Sequence, residues 1–342
     1  FLRYEAGFGI GEGPVLRDTD TYLRAFEVGM VNTARVAVAG VAMATALGLA
    51  IALARLSGNP LASRLAAGYV DLLRNTPIIV QLVFWYRGVV VQLPRLNGAY
   101  RLGWGSSPDT TLALVSQRGL AVPALHATAA AGPWMAALAV ATTAAVLVAR
   151  RRQQRQERTG IPPRSPLWAA AAFLVPVAIA WALLGEAPVR AATPRLSRFS
   201  YQGGYVLTPE YLALLLGLVA YTAAFIAEVF RSGIEAVAKG QVEAGLALGL
   251  RRGQLMRLVV LPQAIRVIIP PLTSQYLNLT KNSSLAIAIG YPDLFNVGRT
   301  ISNQTGQEVM VIFMIMAVYL AISLGTSLLM NLYQRRVRLV ER

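Results

Sequence analysis

Six polar residues in the last third of the sequence lie within or beside apolar segments about as long as a bilayer is thick, roughly 20 residues. They are Glu228, Asn278, Lys281, Asn282, Ser283 and Ser284. Ionisable and amide groups are costly at membrane depth unless they bind a solute or one another. The pattern therefore indicates the lining of a path for a polar solute. The alternative is a structural ion pair between Lys281 and Glu228 near the membrane interface.

Side chains that could catalyse a reaction are scarce in this sequence. It contains no cysteine and one histidine, His126, so it has neither a thiol nucleophile nor a multi-histidine metal site. Its only lysines, Lys239 and Lys281, are not preceded by glycine or followed by Ser or Thr as in a phosphate-binding loop. We therefore predict no catalytic residue, no metal and no ATP hydrolysis in this chain.

The connection between the fifth and sixth apolar segments, residues 235–263, is too polar to cross a membrane, and we call it the projecting loop. Residues 242–248 are largely helix-forming, and Gly249 can adopt the left-handed conformation that ends a helix. The helical pattern resumes at residues 253–260, and we expect Pro262 to end it. Two short helices joined at a glycine form a rigid projection suited to a groove on another protein.

The apolar residues of the chain are clustered. Of its 342 residues 55% are hydrophobic and 14% are charged, against roughly 25% charged residues in soluble proteins. The apolar segments cover residues 30–54, 65–93, 133–149, 167–184, 211–230, 265–289 and 309–332. The chain is therefore predicted to be an all-α integral membrane protein with about seven transmembrane helices, and one more if a further helix precedes Phe1.

Two of these segments contain polar interruptions. In the second, Arg74-Asn75-Thr76-Pro77 is expected to separate an interfacial helix from a short spanning helix, with Thr76 as the cap and Pro77 in the first turn. In the sixth, the helix is expected to break near Asn282-Ser283-Ser284 for similar reasons.

The basic residues predict the orientation. The net charge is +16, but most Arg and Lys residues flank apolar segments, which is typical of membrane proteins and not of proteins that bind nucleic acid. They are densest at residues 55–64, 150–164, 231–266 and 335–342. The denser set belongs in the cytoplasm by the positive-inside rule. This predicts an external N-terminal segment and a cytoplasmic C-terminus.

The projecting loop resembles the coupling-loop signature of permeases in binding-protein-dependent ABC importers. That signature is Glu-Ala-Ala, three residues, Gly, nine residues, Ile, one residue, Leu-Pro. The matching residues here are Glu243, Ala244, Gly245, Gly249, Val259, Leu261 and Pro262. Gly245 replaces the usual alanine and should loosen the first short helix by up to about 1 kcal/mol. Val259 replaces the usual isoleucine.

The resemblance extends over residues 21–93 and 207–333. The motifs that carry it are Asn32-Thr33, Arg74-Asn75-Thr76-Pro77, the run from Tyr221 to Glu228, Leu261-Pro262-Gln263-Ala264 and Lys281-Asn282-Ser283-Ser284-Leu285. They are similar to the uptake permeases for polar amino acids, and the length of the chain is closest to the general L-amino-acid permeases. The resemblance implies a type I ABC importer permease fold, with a five-helix core and an inserted helical hairpin.

This resemblance also implies the organisation of the chain. Residues 1–29 would be a periplasmic N-terminal segment, and residues 30–93 would hold the first core helices. Residues 94–206 would be an insertion with periplasmic loops and a transmembrane hairpin. Residues 207–342 would complete the core and carry the cytoplasmic projecting loop.

The partners implied by the resemblance are an ABC ATPase, a second homologous permease in a heterodimer, a periplasmic amino-acid-binding protein and the lipid of the bacterial inner membrane. ATP and magnesium would be bound by the partner ATPase, and this chain would hold no cofactor. Glu243 would pair with a cation on the ATPase, or would be an exposed carboxylate without consequence.

An amino-acid substrate is a zwitterion and needs contacts of both charges. Lys281 or a freed helix N-terminus could hold its carboxylate, and Glu228 its ammonium group. Related permeases often have an acid where this chain has Asn282, so preference for cationic side chains should be weak. A secondary transporter or channel is the alternative, but it would show an internal repeat that this sequence lacks.

Overall fold

The computed structural model describes residues 1–103, 111–159, 165–197 and 200–337. Residues 160–164 and 338–342, which belong to two of the predicted basic stretches, lie outside these ranges. The chain forms two compact units. The core unit comprises Phe1–Arg95, Ser116–Leu120 and Leu207–Arg342, and the inserted unit comprises Leu96–Val115 and Ala121–Val206. The insertion predicted from the sequence spans residues 94–206.

Helices make up most of the described chain. In order they are α1 (Tyr22–Arg55), α2 (Pro60–Arg74), α3 (Ile78–Val83), α4 (Ala131–Thr159), α5 (Ser165–Leu184), α6 (Pro209–Glu235), α7 (Lys239–Ala247), α8 (Arg252–Leu255), α9 (Leu261–Asn282), α10 (Leu294–Thr305) and α11 (Glu308–Val337). Helix α3 continues as a π-helix, Phe84–Val90, and α9 continues as a 3₁₀-helix, Ser283–Ile289.

Six stretches in the described part of the chain are long and apolar enough to cross a membrane. They are Tyr22–Arg55, Ala131–Gln156, Leu167–Leu184, Pro209–Glu235, Arg252–Ile289 and Glu308–Gln334. The predicted segment that is missing from this set is the second, residues 65–93, and its apolar helix, Ile78–Val90, is shorter. In the sixth segment a break was expected near Asn282-Ser283-Ser284; the α-helix does end at Asn282, but the chain continues directly as the 3₁₀-helix Ser283–Ile289, so the helical stretch is not interrupted.

The core unit is built around α6, which packs between α1 and α9. Helices α1 and α6 run parallel, because Arg35 lies over the Tyr211 ring while Arg55 pairs with Glu228. Gly48 of α1 allows this close approach, since a Cβ there would lie 2.7 Å from a methyl group of Ile226. We call the two ends of this bundle the Tyr22 end and the Arg55 end.

Helix α9 runs antiparallel to α1. Leu279 packs on Gly40, nearer the Tyr22 end, and the hydroxyl groups of Tyr276 and Thr45 lie 2.9 Å apart, further along α1. The second half of the projecting loop therefore lies at the Arg55 end, and the Ser283–Ile289 turn lies towards the Tyr22 end.

The predicted interruption between α2 and α3 is confirmed, but the predicted role of Thr76 is wrong. Its hydroxyl donates to the carbonyl of Leu72, one turn back in α2. Pro77 precedes α3 without a side-chain cap. The side-chain amide of buried Gln81 instead donates to the carbonyls of Leu73 (2.9 Å) and Thr76 (3.0 Å). A proline disfavours the helical conformation in the residue before it, so the break itself was readable from the sequence.

The N-terminal segment folds back on the Tyr22 end. Isolated bridges pair Glu5 with Thr21 and Ile10 with Leu16. The side chains of Ile10 and Leu16 pack in one apolar cluster with residues of α1, α10 and α11.

The inserted unit contains an antiparallel hairpin of α4 and α5. Trp134 near the start of α4 contacts Trp181 near the end of α5, with ring centroids 5.8 Å apart. The strands are β1 (Tyr100–Gly103), β2 (Thr111–Ser116), β3 (Gly119–Val122), β4 (Ala124–Ala127), β5 (Val189–Ala192), β6 (Arg195–Leu196), β7 (Tyr201–Gln202) and β8 (Tyr205–Leu207). They pair in the orders β1-β2-β3-β8, β4-β5 and β6-β7. No strands were predicted in these segments.

Candidate functional site

The first helix of the projecting loop ends as predicted at Gly249. This residue has a φ of +78°, a conformation that favours glycine. The Gly249 N–H donates to the carbonyl of Leu246 (2.9 Å), and the Leu250 N–H donates to the carbonyl of Gly245 (3.2 Å). These two bonds satisfy the last carbonyls of α7 in the usual glycine-dependent helix termination. The joint is therefore fixed in one geometry.

Gly245 is the contact point between the two short helices. It is the buried residue of α7, and a Cβ on it would lie 2.4 Å from Leu255 Cδ1. The expectation that this glycine merely loosens the helix is therefore incomplete. Its missing side chain lets Leu255 of α8, which is 7% exposed, seat against α7. The close packing of Leu255 on α7 explains why position 245 has glycine where the coupling-loop signature has alanine.

The expected end of the second helix at Pro262 is wrong. Residues Arg252–Ile289 form one helical stretch, in which Met256–Val260 is a π-helical turn. Proline has no N–H to donate and its ring clashes with the carbonyl four residues earlier. A π-helical turn immediately before the proline changes the spacing of those carbonyls, so the helix continues into α9.

The projecting loop presents apolar side chains to the surface. Leu248 is 82% exposed and Leu258 is 62% exposed. Between the loop and the end of α6 lies a cleft of about 820 Å³, whose charged lining residues are Glu235, Lys239, Glu243 and Arg252. Ala244 and Leu261 are also exposed and Pro262 is half-buried. Exposed apolar side chains beside charges of both signs are typical of a protein-docking surface.

Glu228 belongs to an ion cluster at the Arg55 end. Its carboxylate pairs with Arg55 of α1 and with Arg231 one turn along α6, and Arg231 also pairs with Glu235. The side chains of Arg55, Glu228 and Arg231 are 20–28% exposed. This cluster ties the end of α1 to the base of the projecting loop.

Glu228 and Lys281 do not come together in the structure, so the predicted ion pair between them is wrong. Glu228 lies level with Arg55, whereas Leu279, two residues from Lys281, packs on Gly40. Fifteen residues of α1 separate those levels, which is roughly 22 Å along the helix. Lys281 is exposed and has no ion pair within the described ranges.

The other predicted path residues lie along α9 and its 3₁₀ extension. Asn278 and Lys281 are exposed, Asn282 and Ser284 are half-buried, and Ser283 is fully buried, its hydroxyl donating to the carbonyl of Thr280 (2.7 Å). With Ser274, the exposed Asn278 and Lys281 recur at helical spacing and form a polar stripe in the second half of α9.

A buried polar cluster at the Tyr22 end was not predicted from the sequence. The side-chain amide of Asn32 donates to the carbonyls of Glu12 (3.1 Å) and Pro292 (3.0 Å). Arg35 pairs with the Glu12 carboxylate at 2.9 Å, although Glu12 is only 5% exposed. The Leu294 N–H donates to the Thr33 hydroxyl at 3.0 Å. The only hint in the sequence was the polar pair Asn32-Thr33 inside an apolar segment.

Asp293 completes this cluster as the cap of α10. Its carboxylate accepts from the Asn296 N–H at 2.9 Å and is fully buried. Burial raises the pKa of Asp293 to about 6, while the hydrogen bonds from the backbone lower it in part. Burial also raises the pKa of Tyr291, whose hydroxyl donates to the carbonyl of Asn32 (3.3 Å). The cluster fastens α10 and the N-terminal segment to α1.

Comparison with known proteins gives matches over nearly the whole chain. Residues 44–339 match the family described as binding-protein-dependent transport system inner membrane component. The general L-amino acid transport system permease protein AapQ of Rhizobium johnstonii is 43% identical, over 100% of this chain and 84% of that protein. The putative amino-acid ABC transporter permease protein YhdX of Escherichia coli is 45% identical, over 100% of this chain and 86% of that protein.

A solved structure also resembles this fold. A chain in the crystal structure of an amino acid ABC transporter with histidines superposes with a TM-score of 0.54. The match covers 92% of this chain and 95% of that chain, at 21% sequence identity. At this identity the likeness concerns the fold.

Proposed function

Because this chain belongs to the family of binding-protein-dependent transport system inner membrane components and has the type I ABC importer permease fold, we propose that it forms one transmembrane half of an ATP-driven amino-acid importer. Its proposed partners are an ABC ATPase, a second homologous permease and a periplasmic amino-acid-binding protein. ATP and magnesium bind on the ATPase, and this chain receives the work of hydrolysis.

The projecting loop is the surface on which we propose that the ATPase docks. The Gly249 termination and the Gly245–Leu255 contact hold its two helices as one body. Exposed Leu248 and Leu258 supply apolar area for an interface, and Glu243 offers a carboxylate to a cation of the ATPase. This rigid, partly apolar projection is the observation that carries the proposal.

The Arg55 end is proposed to face the cytoplasm. Arg55, Arg231, Arg251, Arg252 and Arg257 all lie at this end, in agreement with the positive-inside rule. The N-terminal segment and α10 then lie on the periplasmic side. The last helix, α11, starts near that side and carries the C-terminus towards the cytoplasm.

The polar stripe of α9 is proposed to line the substrate path. Ser274, Asn278 and Lys281 are exposed on a membrane-spanning helix, and lipid is a poor solvent for an ammonium group. A second permease facing this stripe would enclose a polar path between the two chains. Lys281 would then attract the carboxylate of the amino acid. Glu228 is proposed to act in the ion cluster instead of contacting substrate, because two arginines already pair with it.

Co-purification tests this proposal. The tagged chain is expressed with its genomic neighbours and purified from membranes, and the captured proteins are identified by mass spectrometry. We expect an ABC ATPase and a second permease, and the reconstituted assembly should take up amino acids only when ATP is supplied with the binding protein. Uptake by this chain alone, driven by an ion gradient, would instead identify a secondary transporter.

A further inference from the structure

A cleft between the two helices of the inserted hairpin has no role in the transport proposal. It has a volume of about 610 Å³ and opens between α4 and α5. Small and branched apolar side chains form its wall, among them Ala144, Val148, Ala172 and Val175. A wall of this composition leaves room for a hydrocarbon chain and offers it no hydrogen-bonding group.

Three arginines line the polar end of the same cleft. Arg151, Arg152 and Arg155 are spaced so that their side chains share one side of α4. The Arg152 guanidinium carbon lies 4.5 Å from the centre of the Trp168 ring, so a cation–π contact holds it at the cleft. Neither Arg151 nor Arg152 forms an ion pair with an acid in the described ranges.

The cleft therefore combines concentrated positive charge with an apolar groove. Guanidinium groups bind phosphate oxygens through paired N–H donors. The arginines follow directly after the apolar part of α4, and Trp168 is of the type enriched where a membrane meets water. A free anion would use the arginines but not the groove. An acidic phospholipid would use both.

We propose that this cleft binds an acidic phospholipid, with the phosphate at Arg151, Arg152 and Arg155 and part of an acyl chain against the apolar wall. Basic pockets between transmembrane helices are known to suit such headgroups. By the positive-inside rule, the arginines that follow the apolar part of α4 put the site in the cytoplasmic leaflet. Lipid binding is measured without transport, so failure here leaves the proposed permease function untouched.

Native mass spectrometry of the purified chain in detergent tests the proposal. The probes are phosphatidylglycerol and phosphatidylcholine, added at equal concentration. We expect phosphatidylglycerol to be retained preferentially, and Arg152→Gln to weaken its binding about fivefold, the loss expected for one arginine near a membrane surface. Arg150→Gln is the matched control, because Arg150 is exposed, lies two residues away on the other side of α4 and does not line the cleft.

Three outcomes would overturn the lipid site. They are equal retention of the two lipids, equal weakening by Arg150→Gln and Arg152→Gln, and full displacement of phosphatidylglycerol by inorganic phosphate. The first two would show non-specific attraction, and the third a site for a free anion. Ala172→Phe fills the apolar half while keeping every arginine, so it should also weaken phosphatidylglycerol binding if the acyl chain occupies the cleft.

Discussion

The two ends of the core unit differ in how their polar side chains are buried and bonded. At the Arg55 end, Glu228, Arg55 and Arg231 are partly exposed and pair with one another, beside a loop with exposed leucines. At the Tyr22 end, Asn32 and Asp293 are fully buried and bond mainly to backbone groups. Bonds between buried side chains and backbone fix one arrangement, whereas exposed ion pairs are individually weak. The comparison indicates that the Tyr22 end is held in one arrangement, whereas the Arg55 end has a surface that a partner could bind.

The largest effect is expected from changing the joint of the projecting loop. Gly249→Arg forces a left-handed conformation on a residue with a side chain and places a bulky cation on the proposed docking surface. ATP-driven uptake in proteoliposomes should be abolished while membrane insertion stays normal. Gly253→Arg is the matched control, since it adds the same charge in the same loop at an exposed position without a positive φ. Normal uptake by Gly249→Arg would remove the loop from the coupling role.

Asn32→Ala should destabilise the buried polar cluster at the Tyr22 end. It leaves the buried carbonyls of Glu12 and Pro292 without their donor, at an expected total cost of about 3 kcal/mol in unfolding free energy. Denaturant unfolding in detergent measures this loss. Asn303→Ala removes an exposed amide from α10 and should change stability by less than about 0.5 kcal/mol. Similar losses for both variants would contradict the assignment.

The pH dependence of stability should also originate at the Tyr22 end. The pKa of Asp293 is about 6 in the folded chain, above its ordinary value of 3.8, so the folded state holds this proton more tightly than the unfolded state. Stability should therefore fall by roughly 2 kcal/mol as pH rises from about 4 to about 6, and then level off. Asp293→Asn keeps a capping side chain and should flatten that fall. Thermal unfolding of both proteins between pH 4 and pH 8 measures this. If Asp293→Asn loses stability with rising pH as steeply as the unmodified chain does, Asp293 is not the source of the pH dependence.

Lys281→Ala should weaken the stimulation of ATP hydrolysis by amino acid without lowering the stability of the chain. The side chain is exposed and has no ion pair in the described part of the chain. Loss of one charged contact with a carboxylate should weaken the response to amino acid about tenfold, read as the substrate concentration that half-stimulates ATP hydrolysis. An unshifted concentration for every amino acid tested would place Lys281 outside the path.

The smallest effect is expected from Glu228→Gln. The variant leaves two partly exposed arginines without a carboxylate, which should lower stability by about 1 kcal/mol. The half-stimulating substrate concentration should stay the same. If it shifts as in Lys281→Ala, Glu228 contacts substrate and the ion cluster is not its main role.

The structural features that could be predicted from the sequence are those set by residues close together in the chain. The apolar segments, the interruption before Pro77 and the joint at Gly249 follow from local composition and were readable directly. Contacts between residues far apart in the chain could not be predicted in this way. Glu12, Asn32 and Pro292 meet only in the fold, and Arg55 and Glu228 are 173 residues apart.

Two expectations rested on a local rule alone. Pro262 ends a regular helix only if the preceding turn is regular, and the turn Met256–Val260 is not. Gly245 weakens an isolated helix, but here it admits Leu255. The first expectation is wrong, and the second omits the contact between the two short helices.

The unbroken helix Arg252–Ile289 has a mechanical consequence. It packs closely on α6 where Ile268 meets Gly233, since a Cβ on that glycine would lie 2.3 Å from Ile268. Along an ideal helix, Arg252 would lie about 24 Å from this contact and Lys281 about 20 Å on its other side. The contact therefore divides the helix into two arms of nearly equal length, with Pro270 and Pro271 just beyond it. If the helix tilts about this contact as one body, a movement of Arg252 would carry Lys281 the opposite way by a similar distance.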